Sequence, residues 1–366
     1  MIYLFILIII CYLIANEIQI KSLSYESVQI AKKNKLKVRM LYWMLLILII
    51  MFSGLRTSYN DTGYYLLGFK ILDVQTITYT TIFEPYGGFE IFQGILKKYI
   101  SENPQILIIT SSIIVNSIYM WFFSKYSKYF GLTVFSYFIL GPYLFSMAGL
   151  KQIIAMSICL FAIDNLLKNK MINFFIWVLI SMTFHPYIIC MLILPILKNK
   201  ILNKKMIFAI LLIAVLVLNL DALLNLASFI GKDYTTNEMT ANTINPFRVV
   251  VESIPVILVI IKLKRLRLEN NALLNLGINS LIVNFFFISL GLLFNPIYFG
   301  RIATYFSSIN AVVIPMMLVI IFKNTISMRI NILAYYVIYI IYFVLDITKL
   351  GSISIFEDIF KHIGPF

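Results

Sequence analysis

Residues 171–197 read MINFFIWVLISMTFHPYIICMLILPIL, an apolar run followed at once by Lys198, Lys200, Lys204 and Lys205. About 20 apolar residues are enough to cross a bilayer as one helix. A single helix here would carry that basic cluster to the side opposite the chain's other strongly basic loops, against the rule that keeps Lys and Arg in the cytoplasm. A hairpin turning at His185-Pro186 removes the conflict. Pro186 disfavours the helical conformation of the residue before it and has no amide hydrogen to donate, so a break there has a local cause.

The whole chain has the same character. Over 366 residues it is 61% hydrophobic and 13% charged, with a mean hydropathy of +0.92, far from the composition of a soluble domain. The apolar segments are continuous rather than alternating, which favours helices over a membrane barrel. The expected fold is an all-α polytopic transmembrane helical bundle of roughly ten to twelve spans, forming a single integral membrane domain over residues 1–366. The spans read 1–19, 41–54, 104–123, 129–148, 150–167, 171–184, 186–197, 206–224, 247–261, 272–294, 302–322 and 330–347. The basic loops Lys21 to Arg39, Lys198 to Lys205 and Lys262 to Arg267 fall in the cytoplasm, which puts both termini outside. Met1 to Ala15 lacks a basic leader and a small-residue cleavage site, so it reads as a retained first span.

The net charge of +14 sits in short clusters between apolar runs, a pattern that orients helices and does not call for nucleic acid. Cys11, Cys159 and Cys190 lie within apolar segments without paired spacing, which makes them packing residues. Two outer loops are long, about 55–103 and 225–246. The first holds two amphipathic stretches, Tyr64 to Asp73 and Gly88 to Ile100, joined through the turn Glu84-Pro-Tyr-Gly-Gly88. These are expected as short helices lying in the membrane interface.

On this topology Arg56, Asp61, Glu84, Lys151, His185 and Arg301 all fall at the outer ends of spans or in outer loops. Ionisable groups at a membrane edge are costly and commonly mark substrate paths or catalytic sites. Each also has an ordinary reading: Arg56 as a snorkelling helix end, Asp61 as a helix cap, Glu84 as a turn residue, Lys151 as an interfacial anchor, His185 as a packed structural residue. Lys151 and Gln152 open a helix, where the positive end of the peptide dipole suits an anion such as phosphate. The guanidinium of Arg301 offers a planar fork suited to a diphosphate, and His185 could act as a general base. The chain contains no Walker loop, GxGxxG, HExxH or GxSxG, and its two histidines make no cluster of metal-ligand spacing. No metal and no cofactor is called for. Cations meeting carboxylates at the outer face fit phosphoryl or glycosyl transfer from a lipid-linked donor.

Gly54-Leu-Arg56 followed by Asp61 and Tyr65, Glu84-Pro with Gly88-Phe89, Lys151-Gln-Ile-Ile-Ala155, Phe184-His185, and Arg301-Ile-Ala with Tyr305 occur in this order between spans. In this the chain resembles the EpsG/Wzy-type polysaccharide polymerases. One departure is Lys151-Gln152 where the family has Arg-Gln, which keeps the charge and loses the bidentate fork. The resemblance implies a multi-pass protein of the bacterial cytoplasmic membrane that moves a growing glycan from polyprenyl diphosphate onto a lipid-linked repeat unit. It implies diphosphate binding by Arg56, Lys151, Gln152 and Arg301, further substrate contacts from Tyr65 and Tyr305, and a base among Asp61, Glu84 and His185. The partners implied are the polyprenyl-diphosphate-linked oligosaccharide, membrane lipid, a flippase and a chain-length regulator. A flippase or transporter of the same lipid-linked unit, a glycan ligase or acyltransferase, and a structural membrane partner are the competing readings.

Overall fold

A computed structural model of the chain describes residues 2–23, 28–218, 244–294, 296–323 and 326–349, which form helices joined by turns and contain no strand. By compactness the chain divides into two units, Met1–Leu160 with Thr183–His185 and Phe343–Phe366, and Phe161–Met182 with Pro186–Tyr342.

The first unit begins with α1 (Ile2–Leu23) and α2 (Val28–Gly54). The excursion that follows holds α3 (Thr62–Ile71), two three-ten turns (Val74–Thr76 and Tyr79–Phe83) and α4 (Gly87–Tyr99). Both amphipathic stretches of loop 55–103 are therefore helical. Then come α5 (Gln105–Tyr126), α6 (Phe130–Ile139), α7 (Pro142–Ala148) and the first part of α8 (Leu150–Leu167). α1 packs on α2 and α6, α2 on α5, and α4 on the second three-ten turn.

Polar residues tie these apolar helices together. Asn116 of α5 donates to Ser53 Oγ of α2 at 3.1 Å and accepts from the Tyr137 hydroxyl of α6 at 3.0 Å. The Tyr143 hydroxyl of α7 donates to the Ile49 carbonyl at 3.0 Å. Such interhelical bonds are worth about 0.6–2 kcal/mol each in a membrane, where water offers no alternative partner. At the end of α2, Gln105 Nε2 donates to the carbonyls of Gly54 (2.8 Å) and Arg56 (3.0 Å). The Gly54 carbonyl is one that a terminating helix leaves unpaired.

The second unit takes α8 onward through α9 (Met171–Phe184), whose tip clusters with the first unit, then the three-ten segment Pro186–Ile193 and α10 (Leu194–Leu197). The helix stops at His185-Pro186, where the proline dictates it. Lys198 Nζ donates to the Leu166 carbonyl at 2.9 Å and to Asn169 Oδ1, so the chain leaving α10 lies beside the loop that led into α9. The segment that starts at Met171 thus returns to its own origin. Beyond it are α11 (Lys204–Leu218), α12 (Pro246–Ile261), α13 (Leu263–Leu268), α14 (Ala272–Leu290), α15 (Pro296–Phe306), α16 (Asn310–Phe322) and α17 (Met328–Lys349). α14 is central, packing on α12, α15 and α16. Its Asn279 donates to the Leu197 carbonyl at 2.7 Å and accepts from the Leu202 amide at 2.9 Å.

Among the described residues, six helices are long and apolar enough to cross a membrane, or up to eight if each of two bent pairs is one span. Hydropathy along the sequence suggests roughly ten to twelve, and the difference has identifiable sources. The run 129–148 breaks into α6 and α7 at an angle of 46°, because Gly141 adopts a φ of +94° and Pro142 opens the next helix. The run 302–322 lies within α15 and α16, which meet at 62°. Residues 186–197 are mostly three-ten, and 171–184 form a helix of 14 residues. The outer loop 225–246, apart from 244–246, and the end of span 206–224 lie outside the described residues.

Candidate active site

Arg56 follows α2 directly and is completely buried, 0% exposed. Its Nε donates to Thr62 Oγ1 at 3.1 Å and its Nη1 to the Ser53 carbonyl, while Nη2 is buried with no hydrogen-bond partner among the described residues. Thr62, in the first turn of α3, donates in turn to the Tyr59 carbonyl at 2.6 Å. The same hydroxyl lies 3.5 Å from the Met147 carbonyl at the end of α7. Loss of solvent lowers the Arg56 pKa to about 10, with the rings of Tyr143, Tyr59 and Tyr65 near enough to act on it in the opposite sense. The side chain therefore stays a cation at neutral pH. A buried cation with an unused donor calls for an anion or a polar ligand group, since an unpaired buried donor costs about 1–3 kcal/mol and more when charged.

Lys151 stands two residues past Gly149, in the first turn of α8. Its Nζ lies 4.7 Å from the centroid of the Tyr86 ring and 5.3 Å from that of Phe89. Tyr86 also meets His185, with ring centroids 5.3 Å apart at 78°. Phe89 meets Tyr65 edge to face at 5.9 Å. Lys151, Tyr86, Phe89, Tyr65 and His185 thus form one continuous group in the first unit.

Local backbone demands explain how Tyr86 reaches this place. It adopts a left-handed φ of +68°, unusual for a bulky residue. A Cβ on Gly87 would lie 1.7 Å from the Thr81 carbonyl oxygen, and one on Gly88 would lie 2.2 Å from Thr183 Oγ1. Only glycine fits at either position, so the double glycine lets α4 start hard against the three-ten turn and the end of α9.

The residues singled out from sequence separate accordingly. Arg56, Tyr65, Lys151 and His185 belong to the first unit and converge on its aromatic cluster, with Gln152 buried beside Lys151. Asp61 and Glu84 are exposed, and neither forms an ion pair among the described residues. Asp61 occupies the cap position before α3 without a side-chain capping bond. Arg301 and Tyr305 belong to the second unit, where Arg301 is exposed on α15 and Tyr305 is packed into the interior. Tyr86 and Thr62 do not stand out in the sequence: the one signal for Tyr86 is the pair of glycines after it, and Thr62 carries none.

Fold and site together define a polytopic helical membrane protein with a buried, cationic, aromatic-lined site at its helix ends. The EpsG family profile matches residues 39–359, and the chain belongs to the EpsG family. No curated protein and no solved structure matches it.

Proposed function

We propose that the protein is a polysaccharide polymerase of the bacterial cytoplasmic membrane, transferring a growing glycan from polyprenyl diphosphate onto a lipid-linked repeat unit at the extracytoplasmic face. Membership in the EpsG family supports a role in polysaccharide biosynthesis. The observation that carries the reaction is the fully buried Arg56 with its unused Nη2, in the same unit as Lys151. The buried Arg56 guanidinium with its unused donor and the Lys151 ammonium in the same unit suit a leaving diphosphate, whose charge grows as the glycosidic bond breaks.

In this scheme an acceptor sugar hydroxyl attacks the anomeric carbon of the growing chain. A new C–O bond forms and the bond from that carbon to the diphosphate oxygen breaks, releasing polyprenyl diphosphate. The hydroxyl proton goes to the His185 imidazole, the one of the three candidate bases that is buried, packed on the Tyr86 ring that Lys151 also contacts. Asp61 and Glu84, both exposed, are assigned no proton transfer.

Arg56→Ala should abolish polymer while leaving membrane insertion intact, and polymer of normal length from that variant would sink the assignment. A deletion strain separates the competing readings: single repeat units accumulating at the outer face support a polymerase, inward-facing retention supports a flippase, and unattached long chains support a ligase.

A further inference from the structure

Between α3 and α4 the chain carries a surface of unusual composition. No Lys or Arg occurs from residue 71 to residue 96 in a protein of net charge +14, while Asp73, Glu84 and Glu90 fall there. On the second three-ten turn the rings of Tyr79 and Phe83 are each 87% exposed. Thr76, Thr78, Thr80, Gln75 and the carboxylates of Asp73 and Glu84 are exposed around them. Two aromatic faces set among hydroxyl, amide and carboxylate groups present stacking area and hydrogen-bond acceptors side by side.

The turn is also joined rigidly to the candidate active site. Phe83-Glu84-Pro85 leads straight into Tyr86, whose ring lies against His185 and beneath Lys151. The close approach of Gly87 to the Thr81 carbonyl locks the turn to the start of α4.

We propose that the Tyr79–Phe83 turn is a saccharide-binding platform that holds the glycan chain beside the active site, and that this glycan is neutral or amine-bearing rather than acidic. The proposal rests on the polymerase reading and names its substrate class. Sugar rings carry C–H faces that stack on exposed aromatics and hydroxyls that donate to carboxylates and threonines. A bilayer surface is the other conceivable occupant, but segments that dock on anionic membranes do so with Lys and Arg, and this surface carries exposed carboxylates instead. The same carboxylates repel a uronic-acid polymer.

The test uses the full chain in nanodiscs of neutral lipid, titrated calorimetrically with chitopentaose, its fully deacetylated amine counterpart, and an oligogalacturonate of equal length. Wild type should bind the neutral or the amine-bearing oligomer at least about tenfold more tightly than the acidic one, a difference of about 1.4 kcal/mol. Tyr79→Ala/Phe83→Ala should lose that affinity with its thermal midpoint unchanged, and Glu84→Lys should shift preference toward the acidic oligomer. A wild-type protein that binds saccharide and never polymerises lipid-linked units defeats the enzyme reading alone and leaves the platform standing. Preference for the acidic oligomer, no binding of any oligomer, or a double variant that keeps saccharide affinity and loses only adhesion to lipid vesicles would overturn the platform.

Discussion

The ammonium of Lys151 stands 4.7 Å from the centre of the Tyr86 ring. The ring face stabilises a cation without neutralising it, and it sets that positive charge in the aromatic group that also contacts His185. Lys151→Ala should lower polymer formation in reconstituted vesicles about 10²-fold or more, the usual effect of losing one donor to a developing anion. Lys151→Arg should retain most of the activity. Equal loss in both variants would show that shape, and not charge, is what the position supplies.

Burial of Arg56 makes a second prediction, with the sign set by its depressed pKa. The unfolded guanidinium holds its proton to higher pH than the folded one, which releases it near 10. The penalty is therefore fully present at all pH values below 10 and fades only above it. Arg56→Met should raise the thermal midpoint at pH 7 while abolishing polymer, a trade of stability against activity. The gain should shrink when melts are repeated above pH 10. A variant that melts below wild type at pH 7 would refute it.

Gly88→Ala should be far more damaging than its size implies. The added methyl would sit 2.2 Å from Thr183 Oγ1 and 2.7 Å from its Cβ, and overpacking of this kind costs about 1–3 kcal/mol. Relief requires α4 to withdraw from the end of α9, which carries Tyr86 off His185. Polymer yield should collapse with only a modest fall in the thermal midpoint; full activity would mean that the Tyr86 and His185 contact is dispensable.

Membrane sidedness can be checked with single cysteines at two exposed positions. Thr80→Cys should react in intact cells with a membrane-impermeant maleimide, and Lys200→Cys only after permeabilisation. Labelling of both from one side would invalidate the topology built on the basic loops.

Much of this architecture is legible in the residues themselves. Hydropathy finds the helices, Pro186 marks the break after His185, and amphipathic spacing locates α3 and α4. The breaks after Ile139 and Phe306 escape, because an average over a window of apolar residues does not register a single left-handed glycine such as Gly141. Charges in apolar surroundings point to Arg56, Lys151 and His185. The contacts that organise them escape for a different reason: a tyrosine ring between a lysine and a histidine at positions 86, 151 and 185 leaves no periodic trace. Nor does sequence separate the buried His185 from the exposed Asp61 and Glu84, since all three lie near turns.

Position 86 is under two opposed demands. Its backbone, at a φ of +68°, would be most at ease with glycine or asparagine, yet its neighbours require an aromatic ring. A saturation library screened for polymer should therefore return Phe, Tyr and Trp there and reject the very residues the local conformation favours. The same library screened for folding alone should invert that ranking, exposing a site where selection for product has overruled the chain's own preference.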